Sequence, residues 1–272
     1  MKKTAFLIAT LFVAASTLIS CTKEEIIAQT QSDTTAVGAS ATIEAANTLD
    51  VQTGIQINTK ESVVTKMAAA PTTCAVITVD NADTYPKIFT VDYGTGCTIG
   101  QITRKGKLKV TVSAPIFDKD SKMTIERIDY YINGMKLEGT IDYVNTTTDA
   151  QVPQWTRTVT NGKLINANGK VFLNSGSYTM QQTGGVDTPF KLDDNIYSMT
   201  AGSHTVTNEA GNFLTLTVQE TLVKKYSCEY ISKGKLKIEG GILNGVIDYG
   251  NNDCDANFTY THQNGLAYEL KM

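Results

Sequence analysis

From Cys74 to the end of the chain, apolar and polar residues alternate in short runs, which is the pattern of half-buried β-strands. Valine, isoleucine, threonine and tyrosine fill these runs, and glycine and asparagine separate them. No pattern matches the crossover helices that parallel strands would need. We therefore predict an all-β domain over residues 74–272. It would be an antiparallel meander that forms a β-sandwich or a curled sheet, with barrel-like closure as the alternative.

Asn-Gly pairs predict where this meander turns. Both residues tolerate positive φ, so the pair favours the type I′ turn of a two-residue hairpin. The pairs are Asn133-Gly134, Asn161-Gly162, Asn168-Gly169, Asn244-Gly245 and Asn264-Gly265. Each is expected to join two sequential antiparallel strands.

Residues 21–73 differ in composition from the domain that follows. They are rich in Ala, Thr, Ser and Gln and contain no aromatic residue. Such a segment buries too little apolar surface to offset its ordering entropy, so we predict a low-complexity tether. Val37, Ala41, Ala45 and Leu49 are spaced by four and would suit a weakly amphipathic helix, but this stripe is mostly alanine.

The hairpin around Asn133-Gly134 has a register that the two-residue turn fixes. Tyr130 is expected opposite Leu137, with Ile128 and Ile132 on the same core-facing side. The other face is expected to place Asp129 opposite Glu138 and Arg127 opposite Thr140. Two carboxylates directly across a strand pair repel each other unless they are compensated.

The pair of Asp129 and Glu138 supports two hypotheses. Retaining glycosidases hold two carboxyl groups about 5–5.5 Å apart, so these acids could serve a polysaccharide hydrolase or a metal. The second hypothesis is a solvated charge lattice in which Arg127 and Lys136 neutralise both acids. The lattice is the common situation on an exposed sheet face.

Four cysteines follow residue 73, namely Cys74, Cys97, Cys228 and Cys254. An even number in an exported protein indicates disulfides, and the Cys-x-x-Cys spacing of zinc sites is absent. Each pair encloses strands and an Asp-Tyr-Gly segment, so local closure favours Cys74–Cys97 and Cys228–Cys254. Pairing Cys74 with Cys228 or Cys254 would instead require the first and last β segments to be neighbours in space.

An oxygen-rich loop follows the second Asp-Tyr-Gly segment. It carries Asp248, Asn251, Asp253 and Asp255, together with Asn252. Calcium takes six to eight oxygen ligands, so this loop is a candidate calcium site. Asp and Asn also collect in turns for backbone reasons, which is the alternative.

Residues 1–20 are predicted to be a signal peptide. Lys2 and Lys3 precede an uncharged run that ends at Leu18, and this run is shorter than the roughly 20 apolar residues that span a bilayer. Leu18-Ile19-Ser20-Cys21 resembles the lipobox of bacterial lipoproteins. The resemblance implies cleavage before Cys21 and its acylation, with palmitate-type chains anchoring the protein. Lys23-Glu24-Glu25 resembles the signal that exports such lipoproteins to the outer face of the outer membrane.

The domain itself resembles a family of Bacteroidota surface lipoproteins whose function is uncharacterised. The resemblance spans roughly residues 74–272 and supplies a fold and a location but no catalytic residues. It rests on Pro86-Lys87, Asp92-Tyr93-Gly94, Gly106-Lys107, Tyr131, Asn133-Gly134, Lys136, Glu138-Gly139-Thr140, Asp248-Tyr249-Gly250, Asp255 and Tyr268-Glu269-Leu270, placed between and after the four cysteines.

Charge and motifs narrow the expected function. Loss of residues 1–20 takes the formal net charge from −3 to −5, the wrong sign for a nucleic-acid binder. The sequence lacks the catalytic motifs Gly-x-Ser-x-Gly and His-Glu-x-x-His and a glycine-rich phosphate loop. No nucleophile motif stands beside His204 or His262. No cofactor is expected. We expect a lipid-anchored outer-membrane protein, exposed at the cell surface, that binds a glycan or a surface protein or has a structural role. The alternative is a surface polysaccharide hydrolase that uses Asp129 and Glu138.

Overall fold

A computed structural model describes residues 23–63, 74–188 and 191–272, and it describes the side chains of the first segment for residues 34–59. The first segment is the helix α1, Lys23–Val63. A short 3-10 helix covers Leu192–Asp194. The strands are β1 Val76–Asp80, β2 Lys87–Asp92, β3 Cys97–Ile99, β4 Ile102–Val112, β5 Lys122–Ile132, β6 Met135–Asn145, β7 Gln154–Ile165, β8 Val171–Gly184, β9 Ile196–Asn208, β10 Phe213–Lys225, β11 Lys233–Glu239, β12 Gly245–Asn251, β13 Asn257–His262 and β14 Ala267–Lys271.

All of these strands belong to one antiparallel sheet. Its order follows the chain from β1 to β14, except that β3 pairs only with β4 and lies off the main path. The sheet is open, with β1 and β14 as its edges. The prediction of an all-β meander is confirmed, and the arrangement is an open sheet rather than a closed one.

Four of the five Asn-Gly pairs lie at or beside hairpin connections, as predicted. In the β5–β6 turn, Asn133 and Gly134 have φ values of 48° and 80°, as a type I′ turn requires. The exception is Asn161-Gly162, which lies inside β7 at a break in the pairing with β8. The hairpin prediction is therefore wrong there, because the positive φ of Asn161 produces a β-bulge rather than a turn.

Similar bulges interrupt most of the long strands near their middles. A bulge bends its strand and increases the local twist, so a series of bulges across neighbouring strands curves the sheet. At Gly139 in β6, a Cβ atom would lie only 2.6 Å from the Cα of Gly162 on β7. The strand residues with positive φ are Gly106, Asp129, Gly139, Asn161, Gly202, Gly234 and Gly250.

Helix α1 occupies the concave face of this curved sheet. None of its residues from 34 to 59 is exposed, and each of them is buried or half-buried. Val37, Ala41, Val51 and Ile55 are buried among strand residues, and Gly54 lies against the Met123 side chain. The prediction of a tether over residues 21–73 is therefore wrong for residues 34–59, while residues 21–22 and 64–73 lie outside the described part.

The reason for that error is the chemistry of the buried helix surface. Glu44, Asn47, Thr48 and Asp50 are buried together with the apolar residues. Their partners lie on strands far along the chain, so composition within the segment does not reveal that its polar groups are satisfied. The predicted four-residue stripe is correct in being helical, with Val37 and Ala41 buried and Ala45 and Leu49 half-buried.

Both predicted disulfides are present. Cys74 pairs with Cys97 and Cys228 pairs with Cys254, with Cα–Cα distances of 5.4 and 5.3 Å. The alternative pairing between the first and last segments is excluded. In the chain-entropy treatment, loops of this size stabilise the fold by about 3 kcal/mol each.

Within the described residues, no helix has the length and apolar character needed to cross a bilayer.

Candidate functional site

Charged groups on α1 meet charged groups on the sheet in the interior. Asp50 Oδ2 accepts hydrogen bonds from Arg127 Nε and Nη2 at 2.8 and 2.7 Å, and its Oδ1 accepts from the Tyr130 hydroxyl at 2.7 Å. The side chains of Arg127 and Asp50 are almost wholly buried. Burying a charge is costly unless it is paired and hydrogen-bonded, and this pair meets both conditions.

A second ion pair lies six residues earlier on the helix. Arg157 Nη2 donates to both carboxylate oxygens of Glu44 at 2.7 Å, and Nη1 donates to the Thr48 hydroxyl at 3.1 Å. The two ion pairs fix the position of α1 along the strands β5 and β7. They hold the helix in place, and each of the four charges is neutralised by its partner.

His204 links α1 to the strands beyond β7. Its Nε2 lies 2.8 Å from the Ser40 hydroxyl, and its Nδ1 lies 2.5 Å from the Tyr178 hydroxyl. Burial, reinforced by the nearby Arg157 cation, lowers the pKa of His204 to about 3. The ring is thus neutral, with one nitrogen donating and the other accepting.

Lys224 is a buried lysine without a carboxylate among its hydrogen-bond partners in the described chain. It donates to Gln52 Oε1 at 3.3 Å, to the Lys225 carbonyl at 2.9 Å, and to the Cys228 carbonyl. Burial lowers the pKa of Lys224 to about 7, partly offset by the attraction of Glu229. This lysine joins α1 to the loop closed by the second disulfide.

A cleft opens above α1 where the two disulfide-bonded segments approach each other. Its volume is about 230 Å³. The floor consists of helix residues that include Gln52, Thr53 and Gln56. One wall comes from β1–β4 and the other from the loop of residues 226–229, whose Tyr226 carbonyl accepts a hydrogen bond from Gln52.

The walls of the cleft are mainly apolar. A few polar groups set among apolar walls are typical of small-molecule sites. The apolar side chains include Ile77 on β1, Val91 on β2, Ile99 on β3, and Ile102 on β4.

Arg104 is a positively charged group built into the wall of this cleft. Its Nη1 donates to the Thr53 hydroxyl at 2.8 Å and to the Tyr93 hydroxyl at 2.5 Å, and its guanidinium lies 5.2 Å from the Tyr93 ring centre. Only 7% of the residue is exposed. Unlike Arg127 and Arg157, it has no carboxylate within ion-pair distance among the described side chains.

The Arg104 side chain remains a cation in this environment. Burial lowers its pKa, but the electrostatic influence of Tyr130, Tyr93 and Asp50 outweighs that effect and raises the pKa overall. Asp50 itself is bonded to Arg127 and Tyr130. The cleft therefore carries a fixed positive charge on its wall, able to bind an anionic group.

Glu229 supplies a negative charge to the same cleft. It is half-buried, and its carboxylate packs against Gly100, where a Cβ atom would lie 2.3 Å from Glu229 Oε1. Sequence reasoning missed both charged residues of the cleft. Arg104 is on the inward side of β4 in phase with Ile102 and Leu108, and that alternation was the available signal.

The predicted acid pair lies elsewhere, on the outer face of the β5–β6 hairpin. A register shift between Glu126 and Tyr130 sets Glu126 opposite Thr140, so the predicted pairing of Arg127 with Thr140 is wrong. Asp129 and Glu138 lie within this shift, where the two strands have no regular pairing. The bulge at Asp129, with φ 44°, turns Arg127 inward to Asp50 and leaves Ile128 exposed.

Lysines, rather than Arg127, compensate the two acids. Lys136 Nζ lies 3.8 Å from Asp129 and 3.3 Å from Glu138, and Lys163 Nζ lies 3.3 Å from Glu138. Burial raises the pKa of Glu138, but hydrogen bonds from Lys163 and Lys136 outweigh it and lower the pKa overall. A general acid for glycoside cleavage needs a raised pKa, so this shift opposes that role.

In the acidic loop after β12, side-chain carboxylates accept hydrogen bonds from backbone amides of the same part of the chain. Asp248 Oδ1 accepts from the Gly250 amide and Asp255 Oδ1 accepts from the Asn257 amide, both at 2.9 Å. Over the described side chains, no group of three or more His, Cys, Asp or Glu residues is placed to hold a metal ion. The structure gives no support to a calcium site built from Asp248, Asn251, Asp253 and Asp255.

The predicted lipidation site, Cys21, lies outside the described residues. Lys23, Glu24 and Glu25 begin α1, although their side chains are not described. The four disulfide cysteines, in contrast, lie close to the cleft, and Cys228 lines it directly.

Comparisons of the chain with protein-family models, with curated proteins and with solved structures found no match.

Proposed function

We propose that this chain is a lipid-anchored outer-membrane protein, exposed at the cell surface, that binds a small ligand in the cleft above α1. The observation that carries the binding role is Arg104, a buried cation in the wall of an open cleft with no carboxylate partner in the described chain. Buried charges are normally paired, so a ligand anion would complete this one. The anchoring role rests on Cys21 and its lipobox.

The binding role is tested by blocking the cleft. Ser227 is exposed at the cleft wall, and Ser227→Trp should fill it. Ser175→Trp is the matched control, since Ser175 is an exposed serine on β8 away from the cleft. Thermal unfolding would be followed with dipeptides, amino acids, fatty acids, oligosaccharides and nucleotides.

We expect at least one of these classes to stabilise the wild type and Ser175→Trp but not Ser227→Trp. A ligand present at 100 times its dissociation constant would add about 2.7 kcal/mol to the free energy of unfolding. If no class raises the melting temperature, or if Ser227→Trp responds like the control, the cleft is not a binding site.

Anchoring is tested by fractionation. Cys21→Ala should release the protein from the membrane fraction, because acyl chains on the cysteine provide the proposed attachment. Replacing Lys23, Glu24 and Glu25 by alanine should leave the protein lipidated but protected from protease added to intact cells. Retention of Cys21→Ala in the membrane would contradict the lipoprotein proposal, and equal digestion of wild type and triple variant would contradict the export signal.

The hydrolase alternative depends on Asp129 and Glu138. The lowered pKa of Glu138 and the two neighbouring lysines favour a structural charge lattice over acid catalysis. Polysaccharide cleavage by the purified protein that is lost in both Asp129→Asn and Glu138→Gln would reverse this preference.

A further inference from the structure

The cleft presents two opposite charges rather than one. Arg104 and Glu229 both line it, and neither forms an ion pair with a described side chain. A purely anionic ligand would be attracted to Arg104 but repelled by Glu229. A ligand with a carboxylate at one end and an ammonium group at the other would satisfy both.

The spacing of the two charges favours a ligand longer than one amino acid. Cys97 pairs with Arg104 and Ile99 pairs with Ile102, while Gly100, which carries the Glu229 contact, lies at the turn beyond them. Gly100 is three residues beyond Cys97, the register partner of Arg104, so the backbone positions beside the two charges lie about 10 Å apart along the strand. An extended dipeptide spans at most about 7 Å, whereas a single residue spans about half of that.

The remaining lining fits the rest of such a molecule. Ile77, Val91 and Ile99 offer apolar surface for side chains, and the amide of Gln56 on α1 lies at the floor. The volume of about 230 Å³ corresponds to roughly eight waters, which suits a small molecule.

We propose that the cleft binds a zwitterionic dipeptide with apolar side chains, its carboxylate on Arg104 and its amino group on Glu229. This assignment rests on the proposed binding function and names the ligand class for that same cleft. Gln56 would face the peptide bond, and the isoleucine and valine walls would cover the side chains.

Calorimetric titration of the lipidated chain in detergent tests the assignment. The probes remove the amino charge or the carboxylate charge of the ligand one at a time. The probes are Leu-Leu, N-acetyl-Leu-Leu, Leu-Leu amide and free leucine. Loss of a charged hydrogen bond should weaken binding about ten- to a hundredfold, so each capped dipeptide should bind more weakly than Leu-Leu by that factor. Free leucine should also bind more weakly.

Two variants of the protein show which residue of the cleft binds each charge of the ligand. In Glu229→Gln, N-acetylation should no longer weaken binding, while amidation still should. In Arg104→Met, amidation should have no further effect. Because Arg104 also bonds to Tyr93 and Thr53, its variant is compared only if its circular dichroism matches the wild type. If the circular dichroism of Arg104→Met differs from that of the wild type, the titrations of Glu229→Gln alone decide whether the assignment holds.

The outcomes separate this inference from the proposed function. Equal binding of Leu-Leu and its capped forms would overturn the zwitterion assignment. So would a lack of Leu-Leu binding when another ligand class stabilises the wild type but not Ser227→Trp, and the binding function would then stand. If no class binds in the cleft, both proposals fail.

Discussion

Replacing Arg127 with methionine is expected to lower the free energy of unfolding by about 3–5 kcal/mol. The change leaves the Asp50 carboxylate buried on α1 with Tyr130 as its remaining sheet partner. An unpaired buried charge raises the free energy of the folded state by more than the intact ion pair lowers it. The change also removes the contact that holds the helix to β5. Urea unfolding of wild type and variant measures the difference through the midpoint at constant slope.

Lys109→Met is the matched control for this experiment. Lys109 and Glu126 form an ion pair of 2.8 Å, nearly the same length as Arg127–Asp50, but their side chains are 39% and 45% exposed. Exposed pairs contribute about 0.2–1 kcal/mol, so this variant should lose no more than that. The double variant Asp50→Leu with Arg127→Met should recover part of the loss. Similar costs for Arg127→Met and Lys109→Met would contradict the buried ion pair.

The sheet was predictable from sequence because strands and hairpin turns are determined by residues that are close together in the chain. Alternation and glycine-asparagine turns place most hairpins, and the Asn133-Gly134 turn brings Tyr130 opposite Leu137 as expected. Local closure also identified both disulfides. In each case the residues that determine the contact lie within about a hairpin's length of each other.

The bulges were not predictable by the same rule. A two-residue turn fixes register only until the first extra residue, and Asp129 with its positive φ shifts the β5–β6 pairing by one. That single residue reverses which face carries Arg127 and Ile128. Nothing in the alternation marks Asp129 as a bulge, because aspartate also occurs in regular strands.

Helix α1 and the cleft depend on contacts between distant parts of the chain. Arg127 and Asp50 are 77 residues apart in sequence, and Arg157 and Glu44 are 113 apart. A polar, alanine-rich segment is indistinguishable from a linker until its partners are known. The cleft combines α1, β1–β4 and the 226–229 loop, so no single segment contains its pattern.

The largest difference between the tether interpretation and the structure concerns the amides of α1. Residues 34–59 are buried or half-buried. The carboxylates of Asp50 and Glu44 are bonded to Arg127 and Arg157, and the Ser40 hydroxyl is bonded to His204. Opening such a helix requires unfolding of the domain, whose free energy is typically 5–15 kcal/mol. A tether would open at almost no cost.

Hydrogen exchange of the protein, resolved by peptide, measures this difference directly. Because α1 forms the floor of the cleft, the result also tests whether the proposed binding site exists. We expect peptides covering residues 34–59 to exchange more slowly than an unstructured chain by a factor on the order of a thousand or more, comparable to peptides from β5 and β7. Exchange of residues 34–59 at the rate of an unstructured chain, with the strands still protected, would contradict the buried helix and the cleft built on it.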